Sequence, residues 1–121
     1  MRVGISFFQP REFACRCGCG RADMALELVS WLEILRRAIN APLIVTSGFR
    51  CPAHNSNVGG APYSRHMIGC AADVRYPLGR ESELSALVVR MRQSGWELDA
   101  RQTYLHIGVP RASASVLWKG A

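Results

Sequence analysis

A histidine and an aspartate stand seven positions apart in the stretch SRHMIGCAADVR, residues 64–75. These residues are His66 and Asp73, in a chain that contains only three histidines. Catalytic zinc usually takes three protein ligands, drawn from histidine and acidic side chains, and keeps a fourth position open. The stretch therefore offers two ligands of a zinc site, although such a pair also occurs by chance in loops that lead into a strand.

The third ligand is expected from His106, in the segment YLHIGV. Alternation along a strand places Tyr104, His106 and Gly108 on one face and the apolar residues between them on the other. If this strand pairs beside CAADV, His106 points to the same place as Asp73. His54, in CPAHN, is a spare candidate, and its simpler interpretation is a turn histidine bonded to the backbone.

Several neighbours suit a metal centre that binds a molecule with a carboxylate or a carbonyl group. Gly69, Ala71 and Ala72 are small enough to let the backbone fold closely around an ion. Arg50 and Ser64 flank the same loop and carry donors for a carboxylate or a carbonyl group.

Length and composition narrow the class of protein. The 121 residues, of which 49% are hydrophobic and 20% charged, predict one domain, residues 1–121, with a hydrophobic core. No apolar run approaches the ~20 residues that cross a bilayer, so membrane insertion is not expected. Residues 1–13 contain no sustained apolar run, so a secretory signal is not expected. The net charge of +6 comes from scattered arginines without a nucleic-acid-binding module, so nucleic acid is not expected as a partner.

Five cysteines are present, three of them in CRCGCG at positions 15, 17 and 19, with Cys51 and Cys70 further along. The odd number excludes a fully paired set of intramolecular disulfides. The C-x-C-x-C spacing differs from the C-x-x-C pairs of structural zinc sites. We favour free thiols, then one disulfide to Cys51, and third a structural metal. Cys70 is expected to be a small buried residue.

Hydrophobic periodicity predicts helices over 24–40, capped by Asp23 and with Trp31 in the core, and over 80–95, ending at Gly95. Short β-branched or small-residue runs predict strands at 42–48, 70–76, 96–100 and 103–109, the last two joined by a turn near residues 101 and 102. Residues 1–22 are expected to be irregular. A loop without regular structure is expected over 49–66, a length that is often functional. The order favours an α+β fold, an antiparallel sheet flanked by helices.

The segment SRHMIGCAAD matches S-x-H-x-x-G-x-A-x-D and resembles the zinc D-Ala-D-Ala carboxypeptidases and related cell-wall endopeptidases. The longer run LIVTSGFRCPAHNSNVGGAPYSRH resembles a small stand-alone branch of that family, and FACRCGCG and YLHIGV fit it as well. The resemblance covers nearly the whole chain. It implies the fold shared with the hedgehog signalling domain, a Zn²⁺ cofactor, and peptidoglycan peptides as the partner.

The resemblance also implies roles for single residues. His66, Asp73 and His106 would be the zinc ligands. Arg50 would polarise the scissile carbonyl or hold the developing oxyanion, and Ser64 would hydrogen-bond the substrate peptide.

The chain departs from the family pattern around the third ligand. Close relatives carry H-x-D there, and Gly108 replaces the acid. Other branches have an acid three residues before the histidine, here Thr103, or a second histidine two residues before it, here Tyr104. A metal hydrolase needs a base for the attacking water and an acid for the leaving amine. Glu97 and Asp99, on the preceding strand, are the nearest acids, and Tyr104 could donate a proton or bind the oxyanion.

We therefore expect a monomeric zinc metallopeptidase that cleaves peptidoglycan stem peptides, as a carboxypeptidase or an endopeptidase. The lack of a visible signal segment would suit a phage or prophage endolysin that lysis proteins release to the cell wall. The alternative is a catalytically silent wall-binding or virion structural domain that keeps the fold and the zinc site. Gly108 and Thr103 favour that alternative, whereas a nucleic-acid-binding domain rests on charge alone.

Overall fold

The computed structural model describes residues 7–77, 79–100, 104–110, 117 and 118. The α-helices of this part are α1 (Leu26–Ile39), α2 (Pro52–Asn57) and α3 (Glu81–Gln93), with short 3₁₀ helices at Pro10–Phe13 and Arg65–Ile68. Its strands are β1 (Ile44–Ser47), β2 (Ala71–Arg75), β3 (Glu97–Ala100) and β4 (Leu105–Gly108). Across these ranges no helix is both long and apolar enough to cross a bilayer. The turn predicted near Arg101 and Gln102, and Thr103 beside it, lie outside the described residues.

The four strands form one antiparallel sheet in the order β1-β2-β4-β3. This confirms the α+β prediction and the expectation that CAADV pairs beside YLHIGV. Strands β1 and β3 lie at the two edges of the sheet, and β2 and β4 occupy its centre. Residues on both central strands are therefore held by ladders on both sides.

The two faces of the sheet differ in polarity. The register pairs Val74 with Leu105, and it places Ile107 between Ala72 and Leu98. These side chains are buried and belong to the same core cluster as the inward residues of α1 and α3. The opposite face carries the row Asp73, His106 and Asp99, because residues paired directly across antiparallel strands project to the same side.

Helix α1 begins later than predicted. Its N-cap is Ala25, and the prediction of Asp23 at this position is wrong. The Ala25 N–H donates to the Gly69 carbonyl at 2.9 Å, which holds this segment extended, and Asp23 instead pairs with Arg21 at 2.8 Å. The predicted inward residues of the helix are buried, namely Leu28, Leu32, Leu35 and Ile39.

Trp31 lies at the margin of the core, so its prediction as a core residue is only partly right. It is partly exposed, and its ring meets that of Trp96 edge-on with centroids 5.7 Å apart. Helix α3 behaves as predicted at Leu84, Val88 and Met91, which are buried, and the chain turns at Gly95 with φ of +88°.

The N-terminal segment is more ordered than predicted. Phe13 is fully buried, and its carbonyl accepts a hydrogen bond of 2.9 Å from the Phe49 N–H. A Cβ at Gly48 would lie 2.6 Å from the Phe13 Cα, so only glycine permits this approach. The segment therefore packs directly on the end of β1.

The stretch 49–66 contains regular structure, contrary to the prediction. Helix α2 (Pro52–Asn57) lies in its first half, with Pro52 at the first helical position and Cys51 as the N-cap. Its six residues are too few to produce a hydrophobic period, which is why the sequence pattern does not reveal it. His54 lies in this helix and not in a turn. The five cysteines form no disulfide with each other, and Cys70 is buried as predicted.

Candidate metal centre

Asp73 and His106 face each other across the β2–β4 ladder. His106 Nδ1 lies 2.8 Å from Asp73 Oδ1, within hydrogen-bonding distance. Both residues are on central strands, so their backbones are fixed from both sides. The alternation predicted for β4 is confirmed, because Leu105, Ile107 and Val109 are fully buried on the other face.

His66 approaches the pair from the 3₁₀ helix that leads into β2. Ser64 Oγ accepts a hydrogen bond of 3.2 Å from the His66 N–H and caps that helix. The residue is 3% exposed, and its Nδ1 lies 2.8 Å from the Gly48 carbonyl oxygen. A carbonyl can only accept a hydrogen bond, so Nδ1 carries the proton and the lone pair of Nε2 is available to bind a metal ion. That Nε2 lies 3.6 Å from Asp73 Oδ1.

The three side chains can contribute ligand atoms that all lie within 4.8 Å of one another. Two imidazoles and one carboxylate match the donors that catalytic zinc takes from proteins. The hydrogen bond from His66 to the Gly48 carbonyl is the kind of outer contact that orients a ligating histidine. The donors of His66, Asp73 and His106 therefore fit Zn²⁺.

Glu97 occupies the space beside Gly108. The two residues are paired in the β3–β4 ladder, and a Cβ at Gly108 would lie 3.3 Å from the Glu97 Cβ and 3.5 Å from its Oε1. Glu97 Oε1 lies 2.6 Å from His106 Nε2. A carboxylate from the neighbouring strand therefore contacts His106, although position 108 itself carries no acid.

The ionisable groups around Asp73 and His106 shift each other's pKa values. Burial acts to raise the pKa of Asp73, but the hydrogen bond from His106 and the nearby imidazole of His66 outweigh it and hold this pKa well below its usual range. The hydrogen bond to Asp73 raises the pKa of His106 above its ordinary value, burial acts against this, and Glu97 adds to the rise. These contacts therefore favour an ionised Asp73 beside a basic His106.

Arg50 projects toward Asp73 from the end of β1. Its Nε donates to Ser47 Oγ at 3.2 Å and its Nη1 to Asn55 Oδ1 at 3.3 Å. Its Nη2 lies 3.7 Å from Asp73 Oδ2, and the side chain is 16% exposed. The backbone N–H of Arg50 donates to the His66 carbonyl at 3.0 Å. The guanidinium is therefore held in one orientation beside the metal ligands.

A β-bulge turns Ser47 toward this site. Val45 pairs with Val74 and Ser47 with Asp73, so Thr46 is an extra residue in β1. In a regular strand, Ser47 would share the buried face of Val45. The bulge moves it to the face of Asp73, as bulges next to functional sites often do.

Asn55 is the buried support on the other side of Arg50. It is 3% exposed, and its Nδ2 donates to the Ala61 carbonyl at 2.8 Å. A Cβ at Gly60 would collide with Asn55 Oδ1, so glycine is needed there for the amide to keep its place.

An open cleft of about 450 Å³ lies over the three candidate ligands. Its lining includes the predicted site residues Arg50, Ser64 and Tyr104. Glu97 and Asp99 are not among the described residues that line it, although Asp99 is paired directly with His106. The full lining consists of Arg50, Val58, Gly59, Gly60, Ser64, His66, Asp73, Tyr104 and His106.

The small residues near the candidate ligands are packed inside the fold. Gly69 has φ of +72°, and a Cβ there would collide with the Asp23 carbonyl oxygen. Ala71 and Ala72 are fully buried. These residues allow close packing of the fold, and none of the three is among the described residues that line the cleft. His54 lies outside the donor group.

Comparison with known proteins identifies the family. The model of the family described as Peptidase M15 matches residues 6–108. The chain belongs to the peptidase M15 family. It is also similar to the zinc D-Ala-D-Ala carboxypeptidase of Streptomyces albus G, with 52% identity over 44 residues that cover 36% of this chain and 17% of that protein. The matched part is thus a small share of the relative's length. No solved structure matches the chain significantly. The family resemblance stated from the sequence is confirmed.

Proposed function

We propose that this chain is a zinc-dependent peptidase that cleaves peptidoglycan stem peptides, as a D-Ala-D-Ala carboxypeptidase or as an endopeptidase. The observation that carries the proposal is the meeting of His66, Asp73 and His106 at a cleft that also holds Arg50. Membership of the peptidase M15 family and similarity to a zinc D-Ala-D-Ala carboxypeptidase support it.

His66, Asp73 and His106 would hold Zn²⁺ as its three protein ligands. Zinc in such a site supplies Lewis acidity, which polarises a carbonyl oxygen and acidifies water. The protein contributes a donor set that is already oriented, because Gly48 holds the ring of His66 and Glu97 that of His106.

Arg50 would bind the oxygen of the scissile carbonyl and the negative charge that develops on it. Its contacts with Ser47 and Asn55 keep the guanidinium in place before the substrate arrives, so little reorganisation is needed. Ser64 uses Oγ to accept from a backbone N–H, so its O–H remains available to donate to the substrate peptide. Tyr104 would donate a proton to the leaving amine or bind the oxyanion.

Two acids are candidates for the base that takes a proton from the attacking water, namely Glu97 and Asp99. Glu97 contacts His106, and Asp99 is paired with the same histidine. If either residue is the base, Glu97→Gln or Asp99→Asn should lower kcat by ~10²-fold or more. Wild-type rates in both variants would exclude both candidates.

The net charge of +6 would hold the enzyme on an anionic cell wall. We propose that it works there as a monomer and that nucleic acid is not its partner. Binding to duplex DNA that falls steeply with added salt would contradict the second part of this proposal.

The decisive experiment is turnover. Purified, zinc-loaded protein should release D-Ala or new amino groups from muropeptides, and a chelator should abolish the release. His66→Ala should be inactive, whereas His54→Ala, a change outside the donor group, should keep the wild-type rate. Release that survives the chelator and His66→Ala would overturn the proposal.

A second function is favoured by one observation. Among the described residues that line the cleft, the only carboxylate is Asp73, which is a candidate ligand. A wall-binding or virion structural domain that retained zinc without catalysis would have such a cleft. Stoichiometric zinc together with sedimentation on purified cell walls, and no cleavage of any wall preparation, would select this alternative.

A further inference from the structure

Four cysteine thiols converge at a second place in the molecule, on the N-terminal side of the cleft. The Sγ atoms of Cys15 and Cys17 are 3.4 Å apart, and those atoms lie 3.7 and 3.6 Å from the Sγ of Cys51. Cys19 completes the group, with its sulfur within 4.8 Å of the other three. Cys15 is buried, Cys51 is partly exposed, and Cys17 and Cys19 are exposed.

The backbone is folded to produce this convergence. Alternate residues of a straight strand share a side but lie ~6.6 Å apart, which is too far for contact between their sulfurs. Here the Gly18 N–H donates to the Cys15 carbonyl at 3.2 Å, and the Cys15 N–H donates to the Arg21 carbonyl at 2.8 Å. Gly18 and Gly20 have φ of +87° and +82°, values that favour glycine.

Backbone N–H groups point at two of the sulfurs. The Cys51 N–H lies 3.4 Å from Cys15 Sγ, and the His54 N–H lies 3.4 Å from Cys51 Sγ. Both groups donate to sulfur, which stabilises a thiolate more than a thiol. Such outer contacts are typical of metal-bound ligands.

The spacing of the sulfurs fits a metal better than a disulfide. A disulfide bond is ~2.05 Å long, far below the shortest of these separations. A tetrahedral zinc ion with Zn–S bonds of ~2.3 Å separates its sulfurs by ~3.8 Å. We propose that Cys15, Cys17, Cys19 and Cys51 form a structural tetrathiolate zinc site. Zinc displaces the thiol protons when it binds, and four protein ligands leave no open position for substrate.

This second zinc would tie the N-terminal segment to the loop that carries Arg50. Cys51 directly follows Arg50 in the chain, and Cys15 lies two residues after Phe13. The hydrogen bond from the Phe49 N–H to the Phe13 carbonyl joins the same two segments. None of the four cysteines lines the cleft, so the inference does not depend on the proposed peptidase activity.

The test separates the two sites by their ligands. The His66→Ala variant, purified under reducing conditions with zinc, should retain one equivalent of zinc per chain. Replacing that zinc with Co²⁺ should give the intense sulfur-to-cobalt charge-transfer absorption that a site of imidazoles and carboxylate lacks. Cys17→Ser in the same background should weaken metal binding by more than the ~10–100-fold typical of losing an outer-shell contact. Cys70→Ser, a change at a thiol outside the cluster, should leave the affinity unchanged.

A second measurement uses protein with all four cysteines in place, so its result does not depend on whether a cysteine variant folds. With zinc present, the exposed thiols of Cys17 and Cys19 should resist alkylation in the native protein, and a strong chelator should restore their reactivity. The proposal is wrong if His66→Ala protein binds no zinc, if it binds an iron–sulfur cluster instead, or if the native thiols react equally fast with and without metal. An intact mass lower by two hydrogens, traced to a disulfide among these cysteines in freshly reduced and zinc-loaded protein, would also refute it.

Discussion

Glu97 holds His106 from the side opposite Asp73. Glu97 Oε1 lies 2.6 Å from Nε2 of the histidine, whose Nδ1 lies 2.8 Å from Asp73 Oδ1. Glu97 reaches this position because it pairs with Gly108, where a side chain would compete for the same space. The histidine is therefore fixed by two acids that come from two different strands.

We expect Glu97→Ala to lower zinc affinity at the His66 site by ~10–100-fold, because the ring of His106 loses its orienting carboxylate. Competition with a chromophoric chelator, in protein whose cysteine cluster is already saturated, measures this affinity. Glu83→Ala, which removes an exposed acid of α3, serves as the control. Wild-type affinity in Glu97→Ala would contradict this role and would leave catalysis as the reason for the contact.

A compensating change should restore part of that loss. In the Glu97→Ala background, Gly108→Asp should recover zinc affinity, because it returns an acid to the position two residues after the histidine. Alanine at residue 97 removes the carboxylate oxygen that would lie 3.5 Å from a Cβ at residue 108, and the contacts to the Cβ of residue 97 at 3.3 Å and to Arg65 Nη1 at 3.5 Å remain. Gly108→Ala in the same background is the matched control, and equal affinities for the two double variants would argue against compensation.

The folding stability of the metal-free protein should depend on pH through His106 and Asp73. The pKa of His106 is raised above its ordinary 6.5, so its contribution to stability is complete below 6.5 and is lost as the pH rises through the folded-state value. The pKa of Asp73 is lowered, so its contribution is present above the unfolded-state value of about 3.9 and is lost as the pH falls toward the folded-state value.

Two measurements check these signs. Proton NMR of the chelator-treated protein should give a His106 titration above 6.5, and Glu97→Gln should move it downward, since Glu97 contributes to the rise. Thermal denaturation of His106→Gln should lose less stability between neutral and alkaline pH than the wild type. A His106 titration below 6.5 in the wild type would be incompatible with the hydrogen bonds described.

Arg50→Ala should lower kcat by ~10²–10³-fold, the usual cost of losing one donor to a developing oxyanion. Arg50→Lys should recover little of the rate, because an ammonium cannot reproduce the fork that Ser47 and Asn55 hold. Steady-state kinetics on a defined muropeptide measures both effects. Arg75→Ala, at an exposed arginine of β2, should be neutral. A change confined to KM would assign Arg50 to ground-state binding.

Phe13→Ala should destabilise the protein by about 3–5 kcal/mol, as is usual for truncating a buried aromatic residue. Its ring is fully buried and contacts Phe8 and Trp118, with centroids 5.7 and 5.8 Å away. Denaturant unfolding of the metal-free protein gives the value. Phe7→Ala, at a residue that is 45% exposed, should cost much less. Equal losses for the two variants would mean that the N-terminal segment does not belong to the core.

The meeting of Asp73 and His106 was predictable because it depends on the simplest periodicity in the chain. Alternation along β4 separates His106 from Leu105 and Ile107, and one pairing with β2 then brings it to Asp73. The four strands and two long helices follow from patterns of the same kind. Apolar side chains dictate these features, and their positions can be counted along the sequence.

The supports of the site were not predictable in this way. The bulge at Thr46 depends on how β1 pairs with β2, and the sequence periodicity does not indicate that Ser47 changes face. Glu97 reaches His106 only because of the β3–β4 register, which a sequence pattern does not specify. Asn55 lies in a helix too short to leave a period. The meeting of the cysteines depends on turn geometry, which spacing alone does not give.

Asp73 and His106 sit in the two central strands, each bonded to a neighbour on either side. Backbone amides in such positions exchange with solvent mainly through global unfolding. The geometry of these two side chains should thus outlast fraying of the outer strands and loops. Heat is therefore expected to separate Asp73 from His106 in one step, when the whole sheet unfolds, and not by degrees.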